Sequence, residues 1–228
     1  VPGLDLPALR RELAAAGDPE RAAGQQRYMR SALPYVGLTA PELRALLRPH
    51  LAGYAPASRG EWEHDVRTLW DEVTHREEWY VAIALARHRV ARPWQDPSAL
   101  DLYRHLIVNG AWWDVVDEIA SHLVGGVLAA HRAETTPVLR RWVLDEDLWL
   151  RRTAVLSQLR HRQDTDLALL SFAIDENLAD RSFWLRKAIG WALREHARAE
   201  PAWVRGFVAA REGALSPLSQ REALKHFR

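Results

Sequence analysis

Trp149-Leu150-Arg151-Arg152-Thr153-Ala154-Val155-Leu156 decides how this chain is organised, because three other stretches match it. They are Glu78-Trp79-Tyr80-Val81-Ala82-Ile83-Ala84-Leu85, Trp112-Trp113-Asp114-Val115-Val116-Asp117-Glu118-Ile119 and Trp184-Leu185-Arg186-Lys187-Ala188-Ile189-Gly190-Trp191. Trp79, Trp113, Trp149 and Trp184 fall roughly 35 residues apart, the length of two helices with their two turns. A constant interval puts equivalent positions of successive repeats in register. Residues far apart in the chain then become neighbours on one face. The expected fold is all-α, an α-solenoid of helical pairs whose inner members carry the recurring tryptophan.

The rest of the sequence agrees with an all-helical reading, since alternating strand patterns are almost absent. Residues 4–16 have helical spacing, and Asp18-Pro19 supplies the cap and first position of the next helix. Thr39-Ala40-Pro41-Glu42 has the spacing of a capping box. Helices are expected over 58–73 and 77–92, with a break at Pro93 to Pro97. Another helix is expected over 98–108, with a turn at Asn109-Gly110. A helix over 111–123 follows, and Thr135, Thr136 and Pro137 read as the start of the next. Asp145 to Asp147 link it to the Trp149 helix. Helices over 164–174, 182–196, 201–211 and 216–227 complete the chain. No linker is long enough to divide it, so residues 1–228 are expected to form one domain.

Composition narrows the chemistry. Of 228 residues, 48% are hydrophobic and 27% charged, as in ordinary globular proteins. The net charge of +1 does not by itself indicate a nucleic-acid binder, so charge placement must carry that argument. There is no cysteine, which excludes disulfides, a thiolate nucleophile and thiolate metal sites. No apolar run approaches a membrane span and no signal peptide is visible; the chain begins at Val1, and a leader before it stays open. Tryptophan is frequent, at 11 residues, and the only lysines are Lys187 and Lys225. Arginine suits bidentate phosphate contacts and stacking, although biased codon usage gives the same composition. There is no phosphate-cradling glycine loop, dinucleotide fingerprint, nucleophile elbow or zinc-binding histidine pair, and no cofactor or metal is expected.

Counting from each recurring tryptophan, offsets 0, 3, 4, 7 and 10 share one stripe of a helix. This stripe holds Trp113 and Asp117, then Trp149 and Arg152, then Trp184, Lys187, Trp191 and Arg194. Aliphatic positions fall largely elsewhere. The stripe is therefore expected to be an exposed concave face with one carboxylate among cations and indoles. A recurring tryptophan is more often a packing residue between repeats, which applies to Trp79, Trp149 and Trp184. Arg152 and Arg194 could pair with Glu146 and Glu195, and Asp117 could be an arginine's structural partner. Guanidinium groups suit phosphates and indoles suit bases or sugars, so the face fits nucleic acid. The carboxylate is repelled by phosphate, and a cationic transition state would give it a reason to be there.

Trp112-Trp113-Asp114-Val115-Val116-Asp117 resembles the AlkD family of alkylpurine DNA glycosylases. The likeness extends over nearly the whole chain, from Gln26-Arg27-Tyr28-Met29 and Pro34-Tyr35-Val36-Gly37, through Glu77-Glu78-Trp79-Tyr80, to Ser219-Gln220-Arg221-Glu222-Ala223-Leu224-Lys225-His226. The resemblance implies a right-handed α-solenoid of HEAT-like repeats with a concave DNA-binding face. It implies Asp117 as the catalytic carboxylate, with Trp113, Trp191 and Tyr28 contacting the lesion or its deoxyribose. It implies Arg152 and Arg194 on DNA phosphates, and Lys187 is placed with them.

The implied reaction is hydrolysis of the N-glycosidic bond of cationic N3- or N7-alkylated purines in duplex DNA, without base flipping, leaving an abasic site. The chemistry is consistent, because alkylation makes the base a leaving group that needs no protonation. Positive charge then moves onto the sugar, where a carboxylate and indole faces stabilise it. A lyase would need an amine nucleophile, and Lys187 alone lies on this face, so no strand cleavage is expected. A monomer acting on double-stranded DNA in the cytoplasm, associated with the nucleoid, is expected. A non-catalytic DNA-binding relative is the alternative, and a helical scaffold that binds protein is a third. Bulky adducts stay open as substrates beside methyl lesions.

Overall fold

In the computed structural model, which describes residues 4–227, every regular element among the described residues is helical. The chain forms two compact units, Val1–Trp94 and Gln95–Arg228. None of the described helices is long and apolar enough to cross a membrane.

The first unit contains α1 (Leu6–Ala16), α2 (Pro19–Met29), α3 (Ala40–Gly53), α4 (Arg59–Asp71) and α5 (Glu77–Ala86), followed by a 3-10 turn at Arg89–Trp94. Its helix starts follow the expected cap chemistry. Asp18 accepts from the Arg21 N–H and Pro19 opens α2, while Thr39 and Glu42 form a complete capping box. Trp79 stacks on Trp70 with ring centroids 5.0 Å apart and donates to the Trp70 carbonyl at 3.1 Å. It is a packing residue here. The helix expected over 77–92 ends at Ala86, and the chain resumes as a 3-10 helix at Arg89–Trp94, which contains Pro93.

Two buried glutamates explain the start of α5. Glu77 accepts from the backbone N–H groups of Val36, Gly37 and Leu38 at 3.1, 3.0 and 3.3 Å. Glu78 accepts from Arg10 Nη2 at 2.9 Å and from the Thr74 and His75 N–H groups, both at 3.2 Å. Gly37 has φ +95°, and a Cβ there would lie 2.1 Å from the Asp18 carbonyl oxygen, so the loop that Glu77 holds requires glycine. The Glu-Glu-Trp-Tyr segment is thus a set of internal fastenings.

The second unit contains a 3-10 turn at Pro97–Ala99, α6 (Leu100–Gly110) and α7 (Trp113–Glu118), which passes into a π-helix at Ile119–Val124 and then α8 (Gly125–Ala130). After these come α9 (Arg132–Val143), α10 (Leu148–Leu156), a 3-10 turn at Arg162–Asp164, α11 (Leu167–Asp175), α12 (Phe183–His196), α13 (Pro201–Ala209), α14 (Pro217–Ala223) and a 3-10 turn at Lys225–Phe227. Asn109-Gly110 does not form the expected turn. Both residues are helical, and Ala111 reverses the chain at φ +36°. The segment 111–123 does not stop at Leu123 but continues through the π-helix to Ala130. Pro137 does not open a helix, since it lies inside α9, which begins at Arg132.

Trp112, Trp149 and Trp184 gather into one cluster, with centroids 6.1, 5.2 and 5.8 Å apart. Asp147 caps α10 by accepting from the Trp149 N–H, and Ser182 caps α12 by accepting from the Trp184 N–H. The two caps place both indoles at the second position of their helices, where they meet. The register based on Trp113 is corrected here. Trp112 joins the cluster, and Trp113, the first residue of α7, stays half-buried apart from it.

Glu77→Ala would leave three buried N–H groups without an acceptor. We expect a loss of about 3–5 kcal/mol of stability, measured by urea unfolding of the full chain.

Candidate active site

Asp117, Arg152 and Lys187 each occupy the fifth position of their helices, α7, α10 and α12. Thirty-five residues separate Asp117 from Arg152, and Lys187 from Glu222. The same interval lies between Arg152 and Lys187. The opposite charges at this interval meet, Asp117 with Arg152 and Lys187 with Glu222. The Arg152 guanidinium grips the Asp117 carboxylate through two parallel bonds, Nε to Oδ1 at 2.7 Å and Nη2 to Oδ2 at 2.8 Å. Its Nη1 donates to the Trp184 carbonyl oxygen. This planar fork matches a carboxylate as a lysine could not.

Arg152, expected on DNA phosphate, is turned inward onto Asp117 in this structure. Arg152 is 3% exposed, and all three guanidinium nitrogens are engaged inside the protein. It is the holder of Asp117. Its neighbour Arg151 is a brace, donating to the Asp145 carbonyl oxygen at 2.9 Å and to Asp180 Oδ2 at 2.8 Å. Both arginines of the Trp-Leu-Arg-Arg segment thus bond within the protein, and Arg152 also fixes the candidate acid.

The Asp117 side chain keeps 13% of its surface accessible. Burial pushes its carboxyl above the ordinary aspartate value; the Arg152 fork opposes this, and nearby Asp114 and Glu118 add to it. Ser121 Oγ, within the π-helix, donates to the Asp117 carbonyl oxygen at 2.7 Å. The π-helix thus begins two residues after the candidate acid and is fastened back to it. Such irregular turns are frequent at functional sites.

Trp191 and the residues beside Asp117 share one cleft of about 890 Å³. Glu118, Ser121 and His122 form one wall, Arg160 and Arg162 another, and Trp191 with Glu195 a third. Trp113 is half-buried and stands four residues before Asp117 on the same helix face. Tyr28 belongs to the first unit, where it is 79% exposed near the end of α2. Lys187 and Arg194 both bond to Glu222, with Lys187 Nζ donating to Oε1 at 2.6 Å and Arg194 Nη1 to Oε2. Their side chains remain 38% and 18% exposed. Glu222 had escaped the sequence reading, and its signal was its place one repeat interval after Lys187.

Residues 9–227 match the model of a protein family described as DNA alkylation repair enzyme. A solved structure, a predicted DNA alkylation repair enzyme from Enterococcus faecalis, is 30% identical, covers 92% of this chain and 96% of its own, and has a TM-score of 0.79. No curated protein matches the chain.

Arg152→Ala would leave the Asp117 carboxylate buried without its counter-charge. We expect a loss of about 3–5 kcal/mol in chemical unfolding. Arg152→Lys should recover only part of it, because an ammonium cannot rebuild the two-point grip.

Proposed function

Because the chain belongs to the DNA alkylation repair enzyme family, we propose that it is a monofunctional glycosylase for cationic N3- and N7-alkylated purines in duplex DNA. The observation that carries this reading is a partly accessible carboxylate, Asp117, fixed in direction by a buried guanidinium. An alkylated purine leaves without a general acid. The group that speeds its departure is one that meets positive charge as it develops on the sugar. Asp117 performs that role and orients the incoming water.

The half-buried indoles Trp113 and Trp191 are assigned to the deoxyribose and lesion, where their electron-rich faces add to the stabilisation of a cation. Tyr28, exposed on the first unit, is assigned to the same substrate. Lys187 and Arg194 are assigned to phosphates. The 35-residue ladder of charges supports stacked HEAT-like repeats in the second unit. No base flipping is included, and bulky adducts are included with methyl lesions as substrates to be compared in release assays. The Lys187 amine is held by Glu222 in a charged pair, which supports hydrolysis over a lyase reaction through an imine.

One observation favours a second reading. Asp117 and Glu222 both pair with a cation one repeat interval away. Asp117 would then be a structural rung in a non-catalytic DNA-binding relative.

Asp117→Asn separates the two readings. For the enzyme, release of 7-methylguanine from methylated duplex should fall at least a hundredfold, with DNA affinity equal or higher because a negative charge is gone. An inactive native protein would instead establish the structural rung. The native enzyme should lose activity as pH falls through the Asp117 pKa. Since burial raises that pKa, the acid limb of its profile should lie above the ordinary aspartate range. Borohydride treatment during turnover should trap no covalent DNA adduct, and an adduct at Lys187 would assign a lyase step.

A further inference from the structure

Helix α14 lies directly on the backbone of α12. A Cβ added at Gly190 would be 2.5 Å from Glu222 Cβ and 2.8 Å from the Ser219 carbonyl oxygen, so only glycine permits this approach. Ser219 Oγ donates to the Arg186 carbonyl oxygen at 2.8 Å and pins the contact. Glu222 is thereby delivered to the face that carries both cations, and gives one carboxylate oxygen to each.

Each residue of α12 is turned by about 100° from the last. Gly190, Arg194, Lys187 and Trp191 therefore follow one another around a single face. Helix α14 covers the Gly190 edge, and Trp191 stands at the other edge, lining the cleft beside Glu195 and Arg198. Glu222 draws the two cationic ends toward α14, away from the indole. One carboxylate against two cations leaves a single net positive charge at this end of the face.

We propose that Glu222 is a positioning residue for DNA binding. It fixes where Lys187 and Arg194 meet backbone phosphates, and it limits the strength of their grip. This rests on the reading that the face takes duplex DNA. A phosphate that reaches these nitrogens shares them with Glu222, so the product duplex leaves more readily than it would from two free cations.

The test uses the full chain with undamaged duplex for binding and methylated duplex for turnover. Glu222→Gln, confirmed folded by its thermal melt, should bind undamaged duplex about fivefold more tightly at low salt. The logarithmic dependence of affinity on salt should steepen by about 1, as for one additional phosphate neutralised. KM and kcat should both fall as the product is retained. Glu222→Asp keeps the charge and shortens the arm, so its salt slope should stay native while kcat/KM drops. A folded Glu222→Gln protein with native affinity and native salt slope overturns the proposal. If the Glu222 variants do not fold, Lys187→Gln decides. A slope flatter by about 1 supports the proposal and an unchanged slope overturns it. The binding measurements need no base release. Altered slopes in a chain that excises nothing would keep this proposal and remove the proposed reaction, whereas native slopes in an active chain would do the reverse.

Discussion

Asp117 and Arg152, opposite charges 35 residues apart in the chain, are brought together in the second unit, and its packing depends on their staying paired. Arg152 holds Asp117 with two short parallel bonds, and its third guanidinium nitrogen reaches the backbone of α12. Removing either partner would strand a charge where water reaches it poorly. The pair therefore constrains what surrounds it. The helices must start at fixed points, which the caps at Asp147 and Ser182 enforce. They must also stay in register, which the Trp112, Trp149 and Trp184 cluster enforces. An acid held this way has its direction set before any substrate arrives, which is the condition for electrostatic catalysis without reorganisation.

Much of this was legible in the sequence because caps and repeats are local or periodic signals. Asp18, Thr39, Ser58, Asp147, Ser182 and Ser216 all sit at helix starts with side-chain caps. The tryptophan interval correctly indicated that residues about 35 apart meet. In one repeat it counted from Trp113 and passed over Trp112, which packs with Trp149 and Trp184 because Ala111 turns the chain and leaves Trp112 outside the helix as its cap residue. Two adjacent tryptophans cannot be told apart by spacing when the reversal before them uses an alanine. The π-helix had no signature, since it is defined by backbone bonding across a widened turn that no residue type in Ile119–Val124 announces. Pro137 misled because proline marks helix starts more often than interiors. Charge pairing was the least legible feature. Arg152 looks the same in sequence whether it reaches solvent or turns inward, and the partner that settles it is 35 residues away.

The two end acids of the ladder differ in a way that bears on which one does chemistry. Glu222 faces two cations, and the Lys187 hydrogen bond, with Arg194 beside it, holds its carboxyl below the ordinary value. Its negative charge is fully answered within the protein. Asp117 faces one guanidinium and has Asp114 and Glu118 close by, and burial pushes its carboxyl up. Its ionised form is incompletely compensated. A carboxylate in that condition gains more from an arriving positive charge than one already shared between two cations. The same repeat interval thus yields a satisfied acid at one end and an unsatisfied acid at the other. The unsatisfied one stands one helical turn after the half-buried Trp113, and a cation arriving there would supply the charge that Asp117 lacks.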